Sequence, residues 1–127
     1  MSYIGIDFGS KRVGLAYSDE AGTMAFPHSV VAADDAFKAA HELAKTRNAQ
    51  TFVMGKSLDL HGGTNPIQKK AERFAEQLRG FGYAVEYVDE RYTSLEAGRA
   101  VAKEHVDAAA ASIILQSYLD TRKNQLE

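Results

Sequence analysis

The apolar and polar positions of the chain form short alternating runs first and longer helical patterns later. Three apolar runs of strand length come first, near residues 2–8, 12–18 and 24–32. Short turns that contain glycine, at Gly9-Ser10 and Ala21-Gly22, separate them. Such closely spaced strands predict an antiparallel meander at the start of the chain.

From about residue 35 onward, the pattern alternates between helix and strand. Asp34 and Asp35 stand where a helix N-cap is expected, and Pro66 is a favoured first residue of a helix. The predicted elements are a helix near 35–48, a strand at 51–55, a helix that begins at Pro66 and is ended by Gly80 and Gly82, a strand at 84–90, and helices near 95–104 and 107–121.

This order of elements predicts an α/β fold with a mixed five-stranded sheet. The first three strands form the meander, and the later strands run parallel to the first through right-handed crossovers, with helices on both faces of the sheet. The first strand is then central. A chain of 127 residues is expected to form a single domain over residues 1–127.

Composition narrows the possible functions. The chain has no cysteine, which excludes disulfides and thiolate metal sites, and neither a signal peptide nor a membrane span can be drawn in the sequence. We therefore expect a cytoplasmic protein. The net charge of -2 argues against a protein that coats nucleic acid by bulk electrostatics.

Three acidic residues stand out by their position. Asp7 lies inside the first apolar strand, Glu90 at the end of the last strand, and Asp107 at the start of the last helix. Each also has an ordinary structural role open to it: Asp7 could close a turn, Glu90 could pair with Arg91, and Asp107 could cap a helix. If all three converge, their mutual repulsion requires a cation, and Mg²⁺ or Mn²⁺ suits carboxylate ligands. Gly5, on the same face as Asp7, is expected to leave open space beside it.

Three segments of the chain resemble the motifs of the YqgF family, which are "GIDFGSKRVGLAYSD", "DERYTSLEA" and "VDAAAASIILQSYL". These are Holliday-junction-resolvase-like proteins with a ribonuclease H-like fold, described as pre-16S rRNA nucleases. The resemblance implies that Asp7, Glu90 and Asp107 form an acidic triad that binds Mg²⁺ or Mn²⁺. It also aligns four further residues with the substrate-contacting parts of the motifs, namely Lys11, Arg12, Arg91 and Thr93.

The chain differs from this family pattern in four places, the first two being Gly55-Lys56-Ser57, where relatives usually have Gly-Leu-Pro, and His61, which is inserted before Gly62-Gly63. Only Val101 to Val106 separates "EAGRA" (96–100) from Asp107, where many relatives have a longer segment with lysines, and Ala110 stands where junction resolvases tend to have a further acid. Other cations are then expected to hold the substrate, and the candidates are Lys56, Lys69, Lys70 and Arg73.

The resulting hypothesis is a divalent-metal-dependent nuclease that processes precursor 16S ribosomal RNA. Two alternatives remain open: a nucleic-acid-binding or ribosome-assembly module that does not cleave, and a Holliday-junction resolvase that acts on branched DNA. The expected partners are RNA or branched DNA and ribosomal particles, without a membrane. The protein is expected to be a monomer or a weak homodimer.

Overall fold

The computed structural model describes residues 1–56, 66–89 and 108–126 of the chain. Its elements are β1 (Ser2–Phe8), β2 (Arg12–Ser18), β3 (Ala25–Ala32), α1 (Ala36–Arg47), β4 (Ala49–Lys56), α2 (Pro66–Gly80), β5 (Ala84–Asp89) and α3 (Ala108–Leu126). These elements agree with the predicted ones, although β4 and α3 are longer than expected. The helix predicted near 95–104 lies outside the described residues. Within the described ranges, no helix has both the length and the apolar character needed to cross a bilayer.

The five strands form one mixed sheet in the order β3-β2-β1-β4-β5. β1 pairs with β2, and β2 with β3, in antiparallel fashion, whereas β1 with β4 and β4 with β5 are parallel. Ile6 of β1 lies opposite Met54 of β4, which lies opposite Tyr87 of β5. The predicted central position of β1 is therefore confirmed, and the carboxyl ends of β1, β4 and β5 share one edge, here called the carboxyl edge.

Helices α1 and α2 cover one face of the sheet with large apolar side chains. The largest fully buried ones on this face are Phe52, Ile4, Ile6, Leu15, Met54 and Leu78. The expected N-cap position is confirmed, since Asp35 is the N-cap residue of α1, but its side chain makes no cap hydrogen bond because a 3-10 turn at Ala33–Asp35 leads directly into the helix. The helical period predicts an apolar face of α2 that comprises Ile67, Ala71, Phe74, Ala75 and Leu78. This is wrong only for Ile67, which is 40% exposed because it lies in the first turn of α2 rather than over the core.

Helix α3 covers the opposite face with a smaller apolar cluster, which comprises Tyr3, Ala16, Val53, Ala111, Ile114, Leu115 and Leu119. The spacing i, i+3, i+4, i+7, i+8 predicts an apolar stripe on this helix at Ala110, Ile113, Ile114, Ser117 and Tyr118. Ile114 and Ser117 are buried as expected, but the stripe was wrong in part. It included Ala110 and Ile113, which are only partly buried, and omitted Leu115. The amino half of α3 is apolar on every side, so helical periodicity did not identify the side that packs on the sheet.

The turn between β2 and β3 is hydrogen bonded to the middle of α3. The Gln116 side-chain oxygen accepts the backbone N–H of Ala25 at 2.9 Å, and its amide nitrogen donates to the carbonyl of Thr23 at 3.0 Å. The turn itself is closed by Asp19, whose carboxylate accepts the N–H groups of Thr23 and Met24. These donors, first that of Thr23, hold the pKa of Asp19 below its ordinary value.

Candidate active site

Asp7 lies at the carboxyl edge of the sheet, next to the last residue of the central strand β1. Only 9% of its surface is exposed. Its partner in the neighbouring strand is Gly14, which has no side chain to cover it. Because side chains alternate along a strand, Asp7 shares the face of Tyr3 and Gly5, which is the face that α3 covers. A carboxylate is therefore held at the end of a buried strand, beneath a helix.

Helix α3 approaches β1 most closely at Gly5. A Cβ atom placed on Gly5 would lie 2.7 Å from the carbonyl oxygen of Ala111 and 2.8 Å from Cβ of Leu115. Both distances are shorter than such contacts allow, so only glycine permits this approach. The expectation of open space beside Asp7 was thus wrong at Gly5, because the backbone of α3 fills that space. A glycine inside a strand was the signal of this close contact in the sequence.

Helix α3 runs antiparallel to β1. Ala111 lies over Gly5, whereas the ring of Tyr118, two turns later in the helix, lies 5.7 Å from the ring of Tyr3. The guanidinium group of Arg122 lies 5.6 Å from the same Tyr3 ring. The helix therefore passes from Gly5 toward the start of β1 as it proceeds. Its amino end consequently points toward the carboxyl edge, where Asp7 lies.

The other two acids of the predicted triad, Glu90 and Asp107, lie outside the described residues. Glu90 directly follows Asp89, whose backbone ends β5 opposite the end of β4, and Asp107 directly precedes Ala108, the first residue of α3. Among the residues that the structure describes, no group of three or more histidine, aspartate or glutamate side chains could hold a metal ion. The triad and its metal ion stay predictions.

Two candidate substrate-binding residues follow β1 in the chain, Lys11 in the β1–β2 turn and Arg12 at the start of β2. Lys11 and Arg12 are both exposed, and the carbonyl of Lys11 accepts the N–H of Ala33 at 2.8 Å, which joins this turn to the end of β3. The structure describes less of the other predicted substrate-binding residues. Lys56 is the last residue of β4, and Arg91 and Thr93 lie outside the described residues.

The candidate cations of α2, Lys69, Lys70 and Arg73, are all exposed. The ring of Phe74 lies 5.4 Å from that of Phe8, so the amino half of α2 is near the end of β1. Lys70 is one helical turn before Phe74, and Arg73 is one turn after Lys70, so both follow one side of the helix. Lys69 is one turn before both Glu72 and Arg73, so it is a helical neighbour of a glutamate as well as of a cation.

The histidines and tyrosines that could suggest metal or base contacts have structural partners where they are described. His28 is hydrogen bonded to Ser29 at 2.8 Å, and His41 is hydrogen bonded to Tyr83 at 2.8 Å. Tyr118 packs on Tyr3. His61, His105 and Tyr92 lie outside the described residues.

Known proteins match the chain over nearly its whole length. A family model described as "RuvX: Holliday junction resolvase" matches residues 1–121. A protein of Bordetella parapertussis named "Putative pre-16S rRNA nuclease" is 38% identical over 123 residues, which cover 93% of this chain and 92% of that protein. One of the same name from Opitutus terrae is 36% identical over 135 residues, which cover 96% and 93% of the two chains. These matches confirm the family resemblance.

Two solved structures share the architecture at low sequence identity. Thermus thermophilus RuvC in complex with a Holliday junction substrate has a TM-score of 0.62 and 15% identity, over 97% of this chain and 96% of that one. RuvC of the same organism in a second structure has a TM-score of 0.59 and 14% identity, over 98% and 97% of the two chains. At such identities the likeness concerns the fold, and it confirms the predicted ribonuclease H-like fold.

Proposed function

Because the chain belongs to the RuvX family of Holliday junction resolvases, we propose that it is a divalent-metal-dependent nuclease whose substrate is precursor 16S ribosomal RNA. One structural observation supports a reaction centre at the carboxyl edge. Asp7 is almost fully buried at the end of the central strand, beneath a helix whose amino end points toward it. Ligands of open α/β sheets bind at the carboxyl ends of the strands.

The distances between residues along β1 and α3 support the inclusion of Asp107 in this centre. Asp7 lies two residues beyond Gly5, which is about 6.7 Å along a strand. Asp107 lies four residues before Ala111, which is about 6 Å along a helix. Because Ala111 lies over Gly5 and α3 is antiparallel to β1, both acids are expected at the same level of the sheet. Glu90 joins them in the proposal as the residue that follows β5.

These three residues suit a hard divalent cation. Their side chains offer only carboxylate oxygens, the ligands that Mg²⁺ and Mn²⁺ prefer. Asp7, Glu90 and Asp107 would hold the ion. When bound, the ion would lower the pKa of a water molecule and stabilise the negative charge that develops on the phosphate.

The remaining residues position the substrate. Lys11 is exposed in the turn that follows β1 and Arg12 is exposed at the start of β2, where they can pair with phosphate oxygens of a nucleic acid that lies across the carboxyl edge. Lys70 and Arg73 extend this positive surface along α2. The buried position of Asp7 keeps its carboxylate fixed, so the metal-binding atoms need not be reorganised when substrate arrives.

The Asp7→Asn substitution tests this function. It preserves the size of the side chain and removes its charge, so we expect Mn²⁺-dependent cleavage of precursor 16S ribosomal RNA to fall to background while the thermal transition persists. Asp34→Asn is the matched control, because Asp34 is exposed in the 3-10 turn before α1, and this variant should cleave like the unmodified protein. Undiminished cleavage by Asp7→Asn would refute the assignment.

Branched DNA is the second candidate substrate, since the family description names Holliday junctions. The same two variants, assayed on a four-way junction and on precursor RNA in parallel, distinguish the two substrates. A non-cleaving ribosome-assembly module is distinguished by calorimetry, because a site that binds no Mn²⁺ at millimolar concentration cannot perform this chemistry. In the proposed role the protein acts in the cytoplasm on RNA or ribosomal particles, as a monomer or a weak homodimer.

A further inference from the structure

A cluster of rings joins α1 to α2 on the face of the sheet that is opposite Asp7. The ring of Phe37 lies 6.5 Å from that of Phe74 and 4.9 Å from that of Phe81, which follows α2 directly. His41 lies 5.4 Å from Phe81. Phe81 is nevertheless 61% exposed. Phe81 is thus a large apolar ring that neighbouring rings contact on one side and that faces solvent on the other.

The support beneath Phe81 is rigid. The rings of Phe37 and His41 are stacked, with an angle of 8° between their planes. His41 is also hydrogen bonded to the hydroxyl of Tyr83, and the ring of Tyr83 packs edge-on against the buried Phe52 at 4.9 Å. The exposed ring therefore rests on side chains that are connected to the core, which lowers the entropy lost when a ligand stacks on it.

Positive charge borders these rings. Lys45 is one helical turn after His41 on α1, while on α2 Lys70 is one turn before Phe74 and Arg73 is one turn after Lys70. All three cations are exposed. We call this set the α1–α2 surface, and it consists of Phe37, His41, Lys45, Lys70, Arg73 and Phe81.

The acidic residues of the two helices lie mostly elsewhere. Glu76 pairs with Arg79 at 3.2 Å on the far side of α2. Burial raises the pKa of Tyr87 in β5, the proximity of Arg79 opposes this rise, and Glu72 and Glu76 add to it. Both glutamates are therefore close to β5 rather than to α1. Glu42, the only acid of α1, is a helical neighbour of Lys45 and offsets part of its charge.

We propose that the α1–α2 surface binds a single-stranded segment of nucleic acid, with a base stacked on Phe81 and phosphates paired with Lys45 and Lys70. This inference rests on the proposed function for the class of ligand. Aromatic rings interleaved with cations bind single strands without regard to sequence. The buried ring of Phe74 contacts Phe8 at the end of β1, so the amino half of α2, where Lys70 lies, brings one end of the α1–α2 surface near the carboxyl edge. A strand that enters the reaction centre can extend onto it.

Fluorescence anisotropy with a short labelled single-stranded RNA in EDTA tests the stacking contact, because binding is then measured without metal and without cleavage. Phe81→Ala should weaken binding by about five- to tenfold, as expected for the loss of one stacked base. Phe26→Ala is the matched control, because Phe26 is 40% exposed on the edge strand β3, away from this surface. Equal affinity of the two variants would overturn the proposal.

The salt dependence of binding tests the phosphate contacts. For single strands, the slope of log affinity against log salt falls by about 0.7 for each phosphate contact that is lost. The double variant Lys45→Ala/Lys70→Ala should therefore lower the slope by about 1.4. Arg122→Ala, which removes a cation from α3 on the opposite face, should leave the slope unchanged. An unchanged slope in the double variant would contradict the proposal.

Two further measurements distinguish strand binding at this surface from cleavage at the carboxyl edge and from self-association. Asp7→Asn should bind the oligonucleotide as tightly as the unmodified protein, so binding is tested even if the proposed cleavage activity is wrong. Cleavage without any oligonucleotide binding in EDTA would overturn the inference and leave the proposed function standing. Self-association that is lost in Phe81→Ala, measured by sedimentation, would assign the surface to a second copy of the chain and likewise overturn it.

Discussion

The two faces of the sheet are packed in different ways. Beneath α1 and α2, the core consists of large side chains such as Phe52, Met54 and Leu78, all fully buried. Beneath α3, the closest contact involves the smallest residues, since Gly5 meets the backbone of Ala111. One face buries much apolar area, and the other brings a helix as near to a strand as sterics permit.

This difference indicates a division of roles between the faces. Apolar burial contributes about 25 cal/mol for each Å² removed from water, so the α1 and α2 face supplies most of the stability. The α3 face places the amino end of a helix near Asp7, and the distance of that helix matters more than the area it buries. Substitutions on the first face should reduce stability more than activity, and substitutions on the second face should do the reverse.

Phe52→Ala should have the largest effect on stability. Phe52 is completely buried in β4, and truncation of a buried phenylalanine lowers the free energy of unfolding by about 3–5 kcal/mol. Urea denaturation measures this loss. The specific activity of the folded fraction, measured well below the transition, should stay unchanged. An activity loss larger than the loss of folded protein would contradict the division of roles.

Gly5→Ala should have the opposite effect to Phe52→Ala and lower activity more than stability. The added methyl group displaces α3, with a stability loss of about 1–3 kcal/mol for overpacking. Because a displacement of about 1 Å at a reaction centre can lower a rate about 100-fold, cleavage should fall by about that factor with the fold retained. Gly80→Ala is the control, since nothing lies within 4 Å of a Cβ atom at Gly80. Nearly normal activity in Gly5→Ala would show that the close contact does not position the site.

Gln116→Ala should have the smallest effect of the three. It removes the hydrogen bonds that join α3 to the β2–β3 turn, and we expect the free energy of unfolding to fall by about 1–2 kcal/mol. Activity should fall less than in Gly5→Ala, because the contact at Gly5 still sets the distance of α3 from β1. Gln77→Ala, at an exposed position of α2, is the control in the same denaturation and cleavage assays. A greater loss of activity than in Gly5→Ala would show that the β2–β3 turn, rather than the contact at Gly5, positions α3.

The strands and the order of the sheet could be predicted because alternation and turn residues are local signals. The first two strands begin and end where expected, at Ser2–Phe8 and Arg12–Ser18. The orientation of α3 could not be predicted, because its alanine-rich amino half offers several equivalent apolar sides. Of the candidate site, Asp7 was identified from its position in an apolar run, and the structure placed it at the carboxyl edge.

The sequence by itself determined the strand and helix pattern, the family to which the chain belongs, and the position of an acid, Asp7, inside an apolar strand. These properties depend on local periodicity and on residue identity, which the sequence contains directly. Only the tertiary structure decided that α3 fills the space over Gly5, that its amino end points toward Asp7, and that Phe81 stands exposed between α1 and α2. Those features depend on which side of each helix packs on the sheet, and that choice is made by contacts between residues far apart in the chain.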